Sequence, residues 1–193
     1  GGTLKNDGTV NNNNVVNNNE GGKLENSGNL NNNSSLKNDG ELENKGTVSN
    51  NENGNLENNG TIDNKENAEI NNGGNFNNNA GSTLNNESGA KIDGSQPISN
   101  GGDINNDGNI KTTVENTEDG KVDAEVTWTD KDGNEHSGSL KDVLEYLKEN
   151  PEEASGAKVE LNKDVEVTEP LEVPSGVELS VPDGTKLEVK PEG

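Results

Sequence analysis

The sequence predicts an all-β fold, a parallel β-solenoid with one short capping or packing α-helix in its C-terminal part. Three observations predict it. Aliphatic residues recur at short, nearly fixed intervals over residues 2–113. Charged residues avoid the positions that would share a strand face with those aliphatic residues. After residue 113 the pattern changes to one amphipathic helix and several short strands.

The repeat has the unit G-x-[LIV]-x-N-x, and consecutive apolar positions are six or eight residues apart. Seventeen units account for residues 2–113, and five of them are two residues longer than the rest. Such repeats are typical of solenoids, in which each strand stacks on an equivalent strand one coil away. Three short units would form a coil of about 18 residues, but the insertions follow no regular interval, so the coil length and handedness stay open. The apolar positions are Leu4, Val10, Val16, Leu24, Leu30, Leu36, Leu42, Val48, Leu56, Ile62, Ile70, Phe76, Leu84, Ile92, Ile98, Ile104 and Ile110.

The placement of charge shows which side chains face inward. In an extended strand the apolar residue shares its face with the residues two before and two after it, and the intervening residues face outward. Every charged residue between 2 and 113 lies at an outward position or in an insertion. A disordered polar segment has no reason to keep this separation. The inward column therefore reads as a small residue, mostly Gly, then an aliphatic residue, then Asn.

Asparagine follows the apolar residue by two positions in fifteen of the seventeen units, the exceptions being Gly94 and Thr112. One buried aliphatic side chain contributes roughly 1.5–3 kcal/mol, whereas ordering the backbone costs about 1–2 kcal/mol for each residue. Hydrogen bonding must therefore supply the rest. We predict ladders in which each inward Asn bonds the same Asn in the coils above and below. The predicted ladder residues are Asn6, Asn12, Asn18, Asn26, Asn32, Asn38, Asn44, Asn50, Asn58, Asn64, Asn72, Asn78, Asn86, Asn100 and Asn106.

Two further roles are considered for the small and amide residues of the unit. The alternative role of the Asn is to tolerate a left-handed turn conformation, as Asn often does. The glycine two positions before the apolar residue is expected to end one strand and to let the backbone turn a tight corner.

Overall composition alone would predict disorder, because only 23% of the residues are hydrophobic and the net charge is -22. The repeat argues against that interpretation. The acidity excludes binding to nucleic acid, which depends on clustered cations. The chain has no cysteine and no apolar run near the roughly 18 residues of a membrane helix. We therefore expect no nucleic-acid partner, no membrane insertion and no cofactor.

Beyond the repeat the sequence divides into residues 114–137, a connector and β-hairpin, and residues 138–193, a short helix with β-helix-like strands. Alternating residues around Asp132 and Gly133 predict the hairpin. Ser139 begins a helix whose apolar face ends at Asn150 and Pro151. This one-sided helix is expected to cover an exposed end or side of the stacked strands. Its apolar residues are Leu140, Val143, Leu144 and Leu147.

After the helix, alternating apolar pairs between residues 157 and 190 predict five short strands. The segment SLKDVLEYL followed by AKVELNKDVEVTEPLEVPSGVELSV resembles the opening module of right-handed, pectate-lyase-like β-helices of bacterial cell-surface proteins. The likeness covers residues 125–190 and implies a right-handed coil. The Asn/Gly repeat is similar to those of secreted bacterial adhesin-like solenoids. In that family many more rungs follow, so the chain is expected to be an excised fragment or an idealised, designed sequence without Arg, Met or Cys.

Candidate residues for chemistry are few. His136 stands alone in the predicted hairpin, without a second His or any Cys, and is expected to be an exposed loop residue rather than a catalytic or zinc-binding one. The stretch from Asp130 to Asn134 has some calcium-loop character but no Glu at the twelfth position, so we interpret it as a turn. Phe76, Trp128 and Tyr146 are expected in the core. We predict no catalytic, metal or cofactor-binding residue.

Three functional hypotheses follow. The first is a non-enzymatic structural module: a rigid, acidic, monomeric rod serving as a stalk or adhesin-like segment of an extracellular or cell-surface protein, or a design based on one. The second is a binding module that uses outward Asn, Thr and carboxylate rows to engage glycan, a host surface protein or, weakly, calcium. The third, an enzyme like the polysaccharide lyases, is disfavoured because the chain has no Arg and no aromatic cleft.

Overall fold

The computed structural model describes residues 1–191 and divides into two compact units, Gly1–Asp123 and Ala124–Gly193. The first unit is a parallel β-solenoid with three strands in each coil. Its strands are β1 (Thr3–Asn6), β2 (Thr9–Asn12), β3 (Val15–Asn18), β4 (Lys23–Asn26), β5 (Asn29–Asn32), β6 (Ser35–Asn38), β7 (Glu41–Asn44), β8 (Thr47–Asn50), β9 (Asn55–Asn58), β10 (Thr61–Asn64), β11 (Glu69–Asn72), β12 (Asn75–Asn78), β13 (Thr83–Asn86), β14 (Lys91–Asp93), β15 (Ile98–Asn100), β16 (Asp103–Asn106), β17 (Asn109–Ile110), β18 (Val114–Asn116) and β19 (Lys121–Ala124).

Every third strand belongs to the same sheet, which answers the question of coil length. The first sheet has the order β1-β4-β7-β10-β13-β16-β19, the second contains β2-β5-β8-β11-β14-β17, and the third contains β3-β6-β9-β12-β15-β18. Equivalent residues of consecutive coils are 16, 18, 20 or 22 positions apart. The register is nevertheless constant: Leu24 pairs with Leu4 and Leu42, and Ile62 pairs with Leu42 and Leu84. Like residues therefore stack on like residues.

The two-residue insertions form turns outside the strands, so they lengthen a coil without changing the register. Four of them place their second residue at positive φ: Gly21 (71°), Asn67 (63°), Gly81 (81°) and Gly89 (77°). Left-handed backbone of this kind favours Gly and, less strongly, Asn. Irregular spacing of the insertions is therefore compatible with a regular core.

Inside the solenoid the aliphatic residues form one continuous core. Phe76, the only aromatic residue among them, is 1% exposed and packs in register between Leu56 and Ile98. Burial of the repeat's apolar positions is nearly complete from Leu24 to Ile110. The alternation of the sequence is thus confirmed, and it directs every second side chain of the strands into the core.

Glycine two positions before the apolar residue lies at the bend between strands, but conformational freedom is not the reason for it. None of these glycines has a positive φ. A Cβ on Gly28 would lie 2.0 Å from the carbonyl oxygen of Gly8, and one on Gly60 would lie 2.1 Å from that of Gly40. Consecutive coils approach so closely at these two corners that a Cβ would clash with backbone, so glycine is required there, whereas six other units have Asn, Ser, Ala or Gln at the same position.

Solenoid pairing continues beyond residue 113, the predicted end of the repeat. Strand β18 pairs with β15, with Val114 opposite Ile98. The side chains of Val114 and Val122 are partly buried against the same core. Val114 follows Ile110 by only four residues instead of six or eight, which obscured this last coil, although Asn116 keeps its place two residues after the valine.

The second unit begins with the predicted hairpin, formed by β20 (Val126–Thr129) and β21 (Glu135–Gly138). Helix α1 (Leu140–Glu149) follows, with Ser139 Oγ accepting a hydrogen bond from the Asp142 amide at 3.2 Å as its N-cap. A second short helix, α2 (Pro151–Ala154), comes directly after it. The four buried residues of α1 are those predicted: Leu140, Val143, Leu144 and Leu147.

The remaining strands of this unit are β22 (Lys158–Leu161), β23 (Val165–Val167), β24 (Glu178–Ser180) and β25 (Leu187–Val189). Strand β22 pairs with β20 and β24, and β23 pairs with β25. Five strands were predicted, whereas residues 157–190 contain these four. Residues 171–173 are not a strand because Pro170 and Pro174 flank them and neither can donate to a sheet.

Candidate functional site

The inward asparagines form three continuous ladders. The Nδ2 of each Asn donates to the Oδ1 of the equivalent Asn in the next coil, at distances of 2.6–2.9 Å. The first ladder is Asn6, Asn26, Asn44, Asn64, Asn86 and Asn106. The second ladder is Asn12, Asn32, Asn50 and Asn72. The third ladder is Asn18, Asn38, Asn58, Asn78, Asn100 and Asn116.

A second set of hydrogen bonds fixes the orientation of each ladder amide. The other N–H of Asn38 donates to the carbonyl of Thr61 in the next coil at 2.9 Å, and that of Asn26 donates to the carbonyl of Thr47 at 3.0 Å. Some Oδ1 atoms also accept a backbone N–H of the following bend, as Asn44 does from Gly46 at 3.3 Å. The ladders therefore hold the bends as well as one another.

The alternative role of these asparagines is wrong. Among residues 1–191, Asn67 is the only non-glycine residue with a positive φ, and it belongs to an insertion. Asn116, which was not among the predicted ladder residues, extends the third ladder by accepting from Asn100 at 2.8 Å. Val114, two residues before it, could have predicted this ladder position, because the repeat places Asn two residues after an apolar residue.

The second ladder ends at Asn72, because Gly94 occupies the next position. The Nδ2 of Asn72 donates instead to the carbonyl oxygens of Gln96 and Pro97 at 3.1 and 3.2 Å. The other exception to the repeat, Thr112, donates its hydroxyl to the Gln96 carbonyl at 2.7 Å. A shallow open cleft of about 460 Å³ lies here, lined by Asn50, Asn51, Glu52, Asn71, Asn72, Gly73, Gly94, Ser95, Gln96 and Ser49.

On the outside of the solenoid, amide chains run in the opposite direction. Asn31 donates to Asn11 at 2.8 Å, Asn33 to Asn13 at 2.9 Å and Asn51 to Asn33 at 2.6 Å, each toward the preceding coil. We name the outward surface of β2, β5 and β8, with the residue after each strand, the amide patch. It carries no charge and consists of Thr9, Asn11, Asn13, Asn29, Asn31, Asn33, Thr47, Ser49 and Asn51.

The outward surface of the first sheet is charged instead. The ammonium group of Lys23 lies 3.2 Å from carboxylate oxygens of Glu43 and Glu41 and 3.3 Å from Glu25. Hydrogen bonds to these groups, that to Glu43 above all, raise the pKa of Lys23. Exposed pairs of this kind contribute little to stability. Their arrangement keeps both signs of charge mixed along an acidic surface.

In the second unit the hairpin loop contains a buried polar cluster. The Nε2 of His136 lies 3.2 Å from Oδ2 of Asp130, and its ring lies 4.2 Å from that of Trp128, centroid to centroid. Trp128 is fully buried and lies 5.8 Å from Tyr146 of α1. His136 was expected to be exposed, but its side chain is only 5% exposed. The strand alternation explains the difference, because His136 pairs with Trp128 on the buried face of the hairpin.

Asp130 organises this loop. Burial by itself would raise its pKa, but hydrogen bonds from the side chain and backbone of Asn134, from His136 and from the backbone of Asp132 outweigh burial and hold the pKa well below its usual range. Gly133, at φ 86°, completes the turn. The prediction of a turn at this point is confirmed.

Within the described part of the chain, no three His, Cys, Asp or Glu residues are grouped so that they could hold a metal ion. No helix of residues 1–191 has the length and apolar character needed to cross a membrane. No protein-family model, no curated protein and no solved structure matches the chain. The resemblance of residues 125–190 to pectate-lyase-like β-helices therefore remains a hypothesis.

Proposed function

We propose that this chain is a non-enzymatic structural module, a rigid acidic stalk or adhesin-like segment of an extracellular surface protein, or a design based on one. The single observation that carries the proposal is the continuity of the ladders: the first and third run over nearly the whole first unit, and the second runs from Asn12 to Asn72. The proposal includes residues 125–190, whose sequence resembles the opening module of right-handed, pectate-lyase-like β-helices of bacterial cell-surface proteins.

The ladders support this role through their energetics. Between two coils, three strand pairs and up to three amide bonds act together, and each buried amide that loses its partner costs about 1–3 kcal/mol. Bending the stack would lengthen these bonds on one side. Because the amides are nearly inaccessible, water cannot replace the lost partners. The side-chain ladders thus add stiffness to the backbone sheets.

The acidic surface supports the same role. The net charge of -22 favours solubility and opposes association between copies. Ion pairs between coils, such as Lys65 with Glu87 at 2.7 Å, reduce the repulsion between carboxylates on the outer face of the first sheet. A stalk needs both a rigid interior and a surface that does not aggregate.

Single-molecule force spectroscopy on the full chain tests the proposal. We expect stepwise lengthening, each step releasing one coil of 16–22 residues, or about 50–80 Å of extended chain. Featureless extension at low force would contradict a load-bearing role. Turnover of an acidic polysaccharide by the purified chain would contradict the non-enzymatic part of the proposal.

The amide patch favours a second candidate, a binding module for a neutral glycan. Its amides are ordered by their mutual bonds and are spaced by the strand separation of about 4.8 Å. An uncharged array on so acidic a protein suits a ligand whose hydroxyl groups both donate and accept. Calorimetry and a glycan array test it, with Asn31→Glu expected to abolish binding and Asn105→Glu, also an outward amide, expected to leave it intact. Saturable calcium binding would favour the carboxylate rows instead.

A further inference from the structure

The chain contains four Asn-Gly dipeptides, at Asn53, Asn59, Asn72 and Asn100. This pairing is the most reactive one for a self-modification, because glycine has no side chain to hinder attack by its own backbone nitrogen on the preceding amide. The outcome at each site depends on how firmly the structure holds the two reacting groups. We propose that Asn53 is a site of spontaneous deamidation in the folded protein and that the other three are protected.

At the protected sites the asparagine amide is held by the neighbouring coils. Asn72 accepts from Asn50 at 2.8 Å and donates to Gln96 and Pro97. Asn100 accepts from Asn78 at 2.8 Å and donates to Asn116 at 2.8 Å. Rotation of either side chain toward the following glycine would break the ladder bonds.

Asn59 faces outward but is also held. It donates to Asp39 at 2.8 Å and accepts from Asn79 at 2.6 Å. Asn53 differs: it is exposed in the insertion between β8 and β9, and the described residues provide no hydrogen bond to its side chain. Its amide is therefore free to reach the nitrogen of Gly54.

The nucleophilic nitrogens are held differently as well. The amides of Gly60, Gly73 and Gly101 donate to Asn38, Asn50 and Asn78, one coil away, at 3.0, 2.7 and 2.7 Å. Releasing them requires two coils to separate. The Gly54 amide donates to the carbonyl of Asn51, within the same turn, at 2.7 Å. Residues 51–53 of this turn are exposed, and although Gly54 itself is buried against Asn32 and Asn50, releasing its nitrogen breaks no hydrogen bond between coils. Opening this turn therefore costs less free energy than separating two core strands.

The reaction needs only a base and water. The Gly54 nitrogen loses its proton to the base and bonds to Cγ of Asn53, and the Cγ–Nδ2 bond breaks as ammonia leaves with a proton. The five-membered succinimide then adds water at either carbonyl, and one C–N bond breaks to give aspartate or isoaspartate. No oxidation or reduction is involved. The product has one more negative charge, and isoaspartate also lengthens the backbone by one methylene.

The position of the site allows the fold to survive this change. Insertions of two residues already occur at five bends without altering strand register, so one extra backbone carbon at such a bend is accommodated. The modified chain therefore keeps its ladders while its surface charge changes with age.

Incubation of the full chain at mildly alkaline pH and 37 °C, followed by peptide mapping with mass spectrometry, tests the proposal. We expect Asn53 to convert at least about tenfold faster than the other three sites in the folded chain, and the four rates to converge in concentrated urea. Asn53→Gln, whose longer side chain disfavours the five-membered ring, should remove the main acidic species on ion exchange while the circular dichroism stays unchanged. Equal rates in the folded chain, or the same ranking in urea, would overturn the proposal.

Discussion

The side-chain amide of Asn38 donates to the Oδ1 of Asn58 at 2.9 Å, and the two residues occupy the same position in consecutive coils. Both are fully buried. Each amide has one acceptor and two donor hydrogens, and the next coil and the coil before it use all of them. Asparagine thus stacks on the equivalent residue of the next coil, as the neighbouring aliphatic residue does, but through hydrogen bonds.

Replacing one coil's ladder residues should therefore destabilise the solenoid strongly. The triple variant Asn32→Ala, Asn38→Ala and Asn44→Ala interrupts all three ladders at one level, and each substitution leaves buried donors or acceptors unpaired at a cost of about 1–3 kcal/mol. We expect the urea midpoint to fall sharply or cooperative unfolding to be lost. The control changes the outward residues of the same strands, Asn29, Ser35 and Glu41, to Ala. An unchanged midpoint in the ladder variant would rule out a stabilising role for the ladders.

The glycine column gives a second prediction. Gly28→Ala would put a Cβ 2.0 Å from the Gly8 carbonyl oxygen and force two coils apart, so we expect a loss of about 1–3 kcal/mol or more in unfolding free energy. Gly8→Ala is the matched control, because a Cβ there has no heavy atom within 4 Å. Its effect should be small or slightly stabilising. Equal effects in thermal or urea unfolding would show that close approach of the coils is not what requires glycine.

Placing Asn at position 94, where the repeat unit has Gly instead of Asn, should not stabilise the solenoid. Gly94→Asn matches the unit, but the backbone there has a φ of 147° and a Cβ would lie 2.0 Å from the Asn72 carbonyl oxygen. We expect the variant to lose stability although its sequence is closer to the repeat. Ser95→Asn, an exposed neighbour, should have little effect on the melting temperature. A gain in stability for Gly94→Asn would mean that the second ladder can be completed after all.

The Asp130 cluster predicts an acid-sensitive second unit. Because folding lowers the pKa of this carboxyl, its contribution is fully present above the unfolded value of about 3.9 and is lost as pH falls from about 4 through the lower folded value. Asp130→Asn should lose about 1.5–3 kcal/mol at neutral pH. Its stability should also depend less on pH below 4.

Trp128 fluorescence reports this unfolding directly, since the indole is buried beside His136. The control is Asp132→Asn, an exposed carboxyl whose partner is Lys131, and it should leave both the midpoint and its acid dependence nearly unchanged. Parallel acid profiles for the wild type and Asp130→Asn would contradict the assignment.

Much of the first unit follows from the sequence, because strand alternation is a local property. Positions such as Leu56 and Asn58 are two residues apart and must share a face in any strand. Apolar burial, outward charge and stacked amides could be predicted from that rule together with the repeat. The helix of the second unit was equally readable, since its cap at Ser139 and its apolar face are encoded within ten residues.

Other features depended on contacts between distant residues. Three strands to a coil, with coils of unequal length, emerged only from the pairing, because turns at the insertions absorb extra residues without a trace in the register. His136 looked exposed until its pairing with Trp128 placed it on the buried face.

The sequence by itself determined which side chains of this protein avoid water, since that depends on neighbours one and two residues away. The tertiary structure decided which residues meet across 16–22 positions: the Gly28 to Gly8 contact, the end of the second ladder at Asn72 and the last coil at Asn116. These features depend on how closely two coils approach, a distance that no local pattern of residues encodes.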